Sequence, residues 1–145
     1  MKIAVIGTGY VGLVTGCCLA EAGHHVTCVD NNAEKVEAMR RGEVPIFEPG
    51  LEELMNKGMS EGRLSFTTSL GEGIAEAEAI FLALPTPPQD DGSADLSAVL
   101  AVAKQLGSLL PPNYCVVINK STVPVGTAEV VQDAIAKNAQ GQFDV

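Results

Sequence analysis

The chain has 145 residues, 46% of them hydrophobic and 19% charged, and its 9 Lys and Arg against 18 Asp and Glu give a formal charge of −9. That length suits one domain, and folding at this size buries about 68–70% of the surface the unfolded chain exposes, enough for a core without disulfides. The composition excludes a disordered tail, a collagen-like fibre and a coiled coil, and the acidic balance argues against nucleic acid and anionic membrane surfaces as partners.

Lys2 to Ile6 predicts a short buried strand, and Tyr10 to Ala22 a helix that is apolar nearly all round and stopped by Gly23. Ile3 to Ala20 carries no charge, and a run of about 18 such residues is the lower limit for a membrane span. Lys2 with the apolar stretch and Ala20-Glu21-Ala22 imitates a signal peptide, and Val14 to Cys17 a lipoprotein cleavage site. Gly7, Gly9, Gly12 and Gly16 dilute the run, and one lysine makes a thin basic flank, so all three readings are rejected. His25 to Asp30 predicts a second strand. Asn31 or Asn32 caps a helix to about Arg41, with Asn31 and Glu34 spaced as a capping box.

Glu43 to Pro49 is a loop, Leu51 to Lys57 a short helix, and Arg63 to Thr67 a third strand. Ser69 and Glu72 form a second capping-box pattern before another short helix. Ala79 to Leu84 is a continuously apolar strand followed by a proline-rich loop, Pro85 to Gly92. Asp95 to Leu110 reads as a long helix ended by Pro111 and Pro112, Cys115 to Asn119 as a fifth strand, and Thr127 to Asn138 as the last helix. Gln142 to Val145 has the pattern of the beginning of a sixth strand, so the chain is expected to be a piece of a longer protein, cut at or near a domain boundary. Cys17, Cys18, Cys28 and Cys115 contain no C-x-x-C pair, and His24 and His25 lack metal-ligand spacing. The expectation is four reduced, buried thiols in a cytoplasmic protein and no metal.

Strands alternate with helices at βαβ spacing, and the strands are apolar runs of the kind found in a parallel sheet covered on both faces. Gly7-Thr8-Gly9-Tyr10-Val11-Gly12 sits between the first strand and the first helix, the context in which G-x-G-x-x-G has meaning. Gly7 permits a tight turn, Gly9 lets a pyrophosphate approach the backbone, and Gly12 lets helix and sheet pack closely. The free N–H groups near Tyr10 and Val11 then face the phosphates, helped by the helix dipole. Backbone donors let even an acidic protein hold a dianion. The alternative is a glycine-rich turn with no ligand. The predicted fold is α/β, a Rossmann-type doubly wound parallel sheet in three layers, with residues 1–145 as a dinucleotide-binding domain.

Asp30, at the end of the second strand, is placed to accept bonds from the adenosine ribose hydroxyls and to repel a 2′-phosphate, which favours NAD over NADP. It can cap the next helix as well. Lys35 either leans over the same ribose or is a solvated surface lysine. Ligands of such sheets sit beyond the carboxyl ends of the strands, which brings in Pro85 and Thr86 after the fourth strand and Ser121 and Thr122 after the fifth. The two hydroxyls of the latter loop hold the nicotinamide ribose or a water, or else satisfy loop backbone. Asp90 and Asp91 read as solvated, and no acid–base pair or nucleophile–base pair is visible.

Four motifs carry a resemblance: Ile6 to Leu13 (IGTGYVGL), Pro45 to Leu51 (PIFEPGL), Pro85 to Leu96 (PTPPQDDGSADL) and Lys120 to Gly126 (KSTVPVG). Together they resemble the N-terminal NAD-binding domain of the UDP-glucose/GDP-mannose dehydrogenase family over essentially the whole chain. Pro85 stands where members of that family often have glycine, which stiffens the turn. The resemblance implies oxidation of UDP-glucose to UDP-glucuronate in two steps with two NAD⁺. It implies NAD binding by Gly7, Gly9, Tyr10, Val11, Gly12, Asp30 and Lys35 with the Pro85–Thr86 loop, and a supporting catalytic role for Thr122 in holding the reacting water network. It implies too that the catalytic cysteine, with its Lys, Asn and Asp helpers, lies beyond Val145, and that the whole enzyme is a homodimer. Other readings are a GDP-mannose or β-hydroxyacid dehydrogenase and a non-catalytic NAD-sensing module.

Overall fold

A computed structural model describes residues 1–145. In chain order the elements are β1 (Lys2–Ile6), α1 (Tyr10–Glu21), β2 (His25–Val29), α2 (Ala33–Arg40), α3 (Leu51–Ser60), β3 (Leu64–Thr67), α4 (Leu70–Ile74), β4 (Ala79–Leu82), α5 (Ser97–Leu109), β5 (Cys115–Asn119), α6 (Thr127–Ala136) and β6 (Phe143–Asp144). The six strands form one sheet in the order β3-β2-β1-β4-β5-β6, and every pairing is parallel. This is the predicted doubly wound α/β sheet.

Alternation along the strands divides the core. Ile3, Val5, Val26, Cys28, Leu64 and Phe66 pack with α1, α2 and α3 on one face. Ala4, Ile6, Ile80, Leu82, Cys115 and Val117 pack with α4, α5 and α6 on the other. Each face buries its own cluster of 15 residues, so the sheet is dry on both sides. No helix is long and apolar enough to cross a membrane, and the uncharged Ile3–Ala20 run is divided between β1 and α1.

Several sequence expectations shift. α3 runs on to Ser60, past Gly58, where a Cβ would lie 3.1 Å from that of Leu64 and 3.5 Å from that of Ala20. β4 ends at Leu82, because the Leu84 N–H turns to the Ser121 hydroxyl instead of a neighbouring strand. α5 begins at Ser97, whose N–H is taken by the Asp95 carboxylate. Asn32 is the cap of α2, not Asn31, and its side chain accepts from the Lys35 N–H. Only half of the second capping box forms: Ser69 accepts from the Glu72 N–H, but the Glu72 carboxylate goes to Thr67. Cys18 is exposed, while Cys17, Cys28 and Cys115 are buried. α1 presents Cys18 outward because the core takes its Leu13, Cys17 and Ala20 side.

Candidate functional site

The winding reverses between β1 and β4, and a cleft of about 670 Å³ opens at the carboxyl ends of these strands. The turn between β1 and α1 forms its floor. Gly7 has φ +97°, and a Cβ added to it would run into the Ala83 carbonyl oxygen. A Cβ on Gly12 would strike the carbonyl oxygen of Gly7. Gly9 differs from both, since an added Cβ meets nothing within 4 Å. Two glycines are therefore filled in by protein, and the one between them faces open space.

The Leu13 N–H is the first to bond back into α1, reaching the Gly9 carbonyl at 2.9 Å. The N–H groups of Gly9, Tyr10, Val11 and Gly12 have no acceptor in the protein. They lie at the positive end of the helix dipole, and α1 has no acidic residue in its first turn to compete for it. An open floor ringed by free donors fits a dinucleotide's pyrophosphate.

Asp30 directly follows β2. Its Oδ2 accepts from the Thr8 N–H at 3.0 Å, the Thr8 hydroxyl at 2.6 Å and Lys35 Nζ at 3.2 Å, and its Oδ1 from the Asn32 N–H at 3.0 Å. Burial works against the carboxylate's charge, but the bonds from Thr8, Asn32 and Lys35 outweigh it and hold the pKa below the usual value. Oδ1 has one partner, and a carboxylate oxygen takes two. Asp30 thus supports the turn into α2 and keeps an acceptor, and Lys35 is paired to it instead of lying free in solvent.

The other wall comes from the loops after β4 and β5. The Ser121 hydroxyl accepts from the Leu84 N–H at 2.9 Å and donates to the Leu84 carbonyl at 2.7 Å. The Thr86 hydroxyl donates to the Thr122 carbonyl at 2.8 Å. Pro85 and Thr122 are exposed along the same cleft. Thr122 is the one hydroxyl of this group not bonded within the protein. All the predicted cofactor residues except Gly12 line one cavity, and Gly12 lies behind it. Asp91 turns back onto Ser93 in an exposed loop, away from the cleft.

Sequence reasoning missed Thr8, a fully buried threonine that holds Asp30 through two bonds. Its place between two glycines gives no hint that its hydroxyl faces β2. It missed as well the bond from the Tyr10 hydroxyl to Glu48, across the loop between α2 and α3.

The family model described as "UDP-glucose/GDP-mannose dehydrogenase family, NAD binding domain" matches residues 1–145. The chain belongs to this family. Its cofactor is NAD, as the matched domain's description states. The UDP-glucose 6-dehydrogenase of Pseudomonas aeruginosa is 57% identical over 135 residues, 93% of this chain and 30% of that protein. The UDP-glucose 6-dehydrogenase YwqF of Bacillus subtilis is 51% identical over 138 residues, 95% of this chain and 31% of that protein. The structure of a UDP-glucose dehydrogenase from Pyrobaculum islandicum superposes with a TM-score of 0.93 at 43% identity, covering 98% of this chain and 34% of the other. The chain therefore spans about a third of the length of the relatives it matches.

Proposed function

We propose that this chain holds NAD in the β1–β4 cleft as the cofactor-binding part of a UDP-glucose 6-dehydrogenase. In this reading the N–H groups of Tyr10, Val11 and their neighbours donate to the pyrophosphate above Gly9, while Gly7 and Gly12 keep the turn tight. Asp30 and Lys35 take the adenosine ribose hydroxyls. Pro85 and Thr86 wall the cleft, Ser121 braces the loop beside it through Leu84, and Thr122 receives the nicotinamide ribose. Thr122, with its free hydroxyl, also supports the reaction by holding water. NAD supplies a hydride acceptor there; over the full reaction the sugar C6 gives up two hydrides and gains a water oxygen.

The observation that carries this reading is the row of four acceptor-less N–H groups around the open floor at Gly9. UDP-glucose as substrate is supported by identity: the P. aeruginosa relative named for it reaches 57%, against 34% for the GDP-mannose 6-dehydrogenase of Pseudomonas syringae. The covalent chemistry is assigned to residues outside this chain, in a cytoplasmic homodimer. Calorimetric titration with NAD tests it. Saturable binding of NAD, with no conversion of UDP-glucose by this chain alone, is expected. No binding at millimolar NAD overturns the cofactor role, and conversion of UDP-glucose overturns the placement of the chemistry elsewhere.

A further inference from the structure

The loop from Arg41 to Gly50 joins α2 to α3 and has no regular structure. Val44 and Ile46 pack against the core, and Leu51, just beyond it, is 2% exposed. Between these anchors Phe47 points into solvent at 94% exposure, and Glu48 reaches back to α1. The Tyr10 hydroxyl donates to Glu48 Oε2 at 2.5 Å. This is the one side-chain hydrogen bond between the loop and another element, since Glu43 bonds only to the adjacent Arg41.

The partner is informative. Glu48 stands among Glu43, Glu52 and Glu53, where a Lys or Arg would relieve the charge, yet no cation pairs with it. A phenol from the first helical position of the glycine motif satisfies it instead. Tyr10 lines the cleft and Glu48 does not. The hydrogen bond to Glu48, and next the nearby charge, hold the Tyr10 pKa above its usual value. A ring fixed beforehand loses less rotamer freedom when a ligand docks against it.

We propose that Glu48 is a positioning residue for the dinucleotide: acting through Tyr10, it fixes the ring that walls the pyrophosphate end of the cleft. The proposal rests on the NAD-binding reading above and adds to it a residue from outside the cleft.

Five proteins titrated with NAD by calorimetry test it, with thermal unfolding as the folding control: the unaltered protein, Glu48→Ala, Glu48→Gln, Tyr10→Phe and the double variant of Glu48→Ala with Tyr10→Phe. Glu48→Ala is expected to weaken NAD binding about three- to tenfold, the worth of one hydrogen bond. Glu48→Gln keeps an acceptor and sheds a charge near a dianion, so it is expected to bind within twofold of the unaltered protein or more tightly. Tyr10→Phe is expected to match Glu48→Ala, and the double variant to lose no more than either. A Glu48→Ala protein that binds NAD normally overturns the proposal, as does a Glu48→Gln protein as weak as Glu48→Ala. If Glu48→Ala does not fold, Tyr10→Phe reads the same bond from its other end, and normal NAD binding by it is equally fatal. Failure of the unaltered protein to bind NAD overturns the cofactor reading and this proposal together, an outcome distinct from the others.

Discussion

The cleft has two walls built by different means. The wall on β1 and β2 offers main-chain donors that nothing in the protein accepts, backed by a carboxylate held in place by Thr8, Asn32 and Lys35. The wall on β4 and β5 is largely closed on itself, with the Ser121 and Thr86 hydroxyls bonded to loop backbone and only Thr122 left free. The first wall is shaped by what its glycines lack, and the second by what its side chains hold together. In the proposed reading a charged ligand is gripped where the backbone is bare, and the opposite loops supply the boundary.

Substitutions separate the two walls, and the largest effect belongs to the first. Gly12→Ala drives a methyl group into the Gly7 carbonyl, where no flexible side chain can yield. It is expected to cost about 3 kcal/mol or more, the upper end of overpacking penalties, measured by urea unfolding. Gly9→Ala meets open space and should leave stability nearly unchanged while weakening NAD. Equal destabilisation by both variants would break the distinction between packed and open glycines.

Asp30→Ala comes next. If Asp30 accepts from the ribose hydroxyls as proposed, its removal should weaken NAD about tenfold or more, and NADP far less, as read by parallel titrations. Equal losses for both dinucleotides would remove Asp30 from the ribose. The same group gives a pH dependence. Its folded pKa lies below the unfolded value, so its contribution is fully present above about pH 4 and is lost as pH falls through the folded pKa. Asp30→Asn should flatten that part of the acid-unfolding profile.

The smallest effects test the second wall. Ser121→Ala leaves the Leu84 N–H without its partner and should cost about 1–3 kcal/mol, with little change in NAD affinity. Thr122→Val should do the reverse, with stability held and affinity modestly reduced. A Ser121→Ala protein of unchanged stability would show that the loop is not braced as described.

Much of the site was legible beforehand because its signals are local. Gly7, Gly9 and Gly12 announce a tight turn between a strand and a helix, and Asp30 at the end of the second strand follows from the same unit. Thr8 and the Tyr10–Glu48 pair were not legible, because each bond spans a sequence separation that no periodicity encodes. Ser121 illustrates a related ambiguity: the sequence places a hydroxyl at the crevice, but not whether it faces ligand or backbone.

By itself the sequence determined the order of strands and helices, the parallel character of the sheet and the position of the bare amides, since hydrophobic period and glycine spacing act within a few residues. Only the tertiary structure decided which glycines are packed and which is open, which hydroxyls are already bonded, and that Glu48 meets Tyr10. Those outcomes depend on how distant segments approach one another across the sheet, and packing, unlike local conformation, is fixed by the whole chain at once.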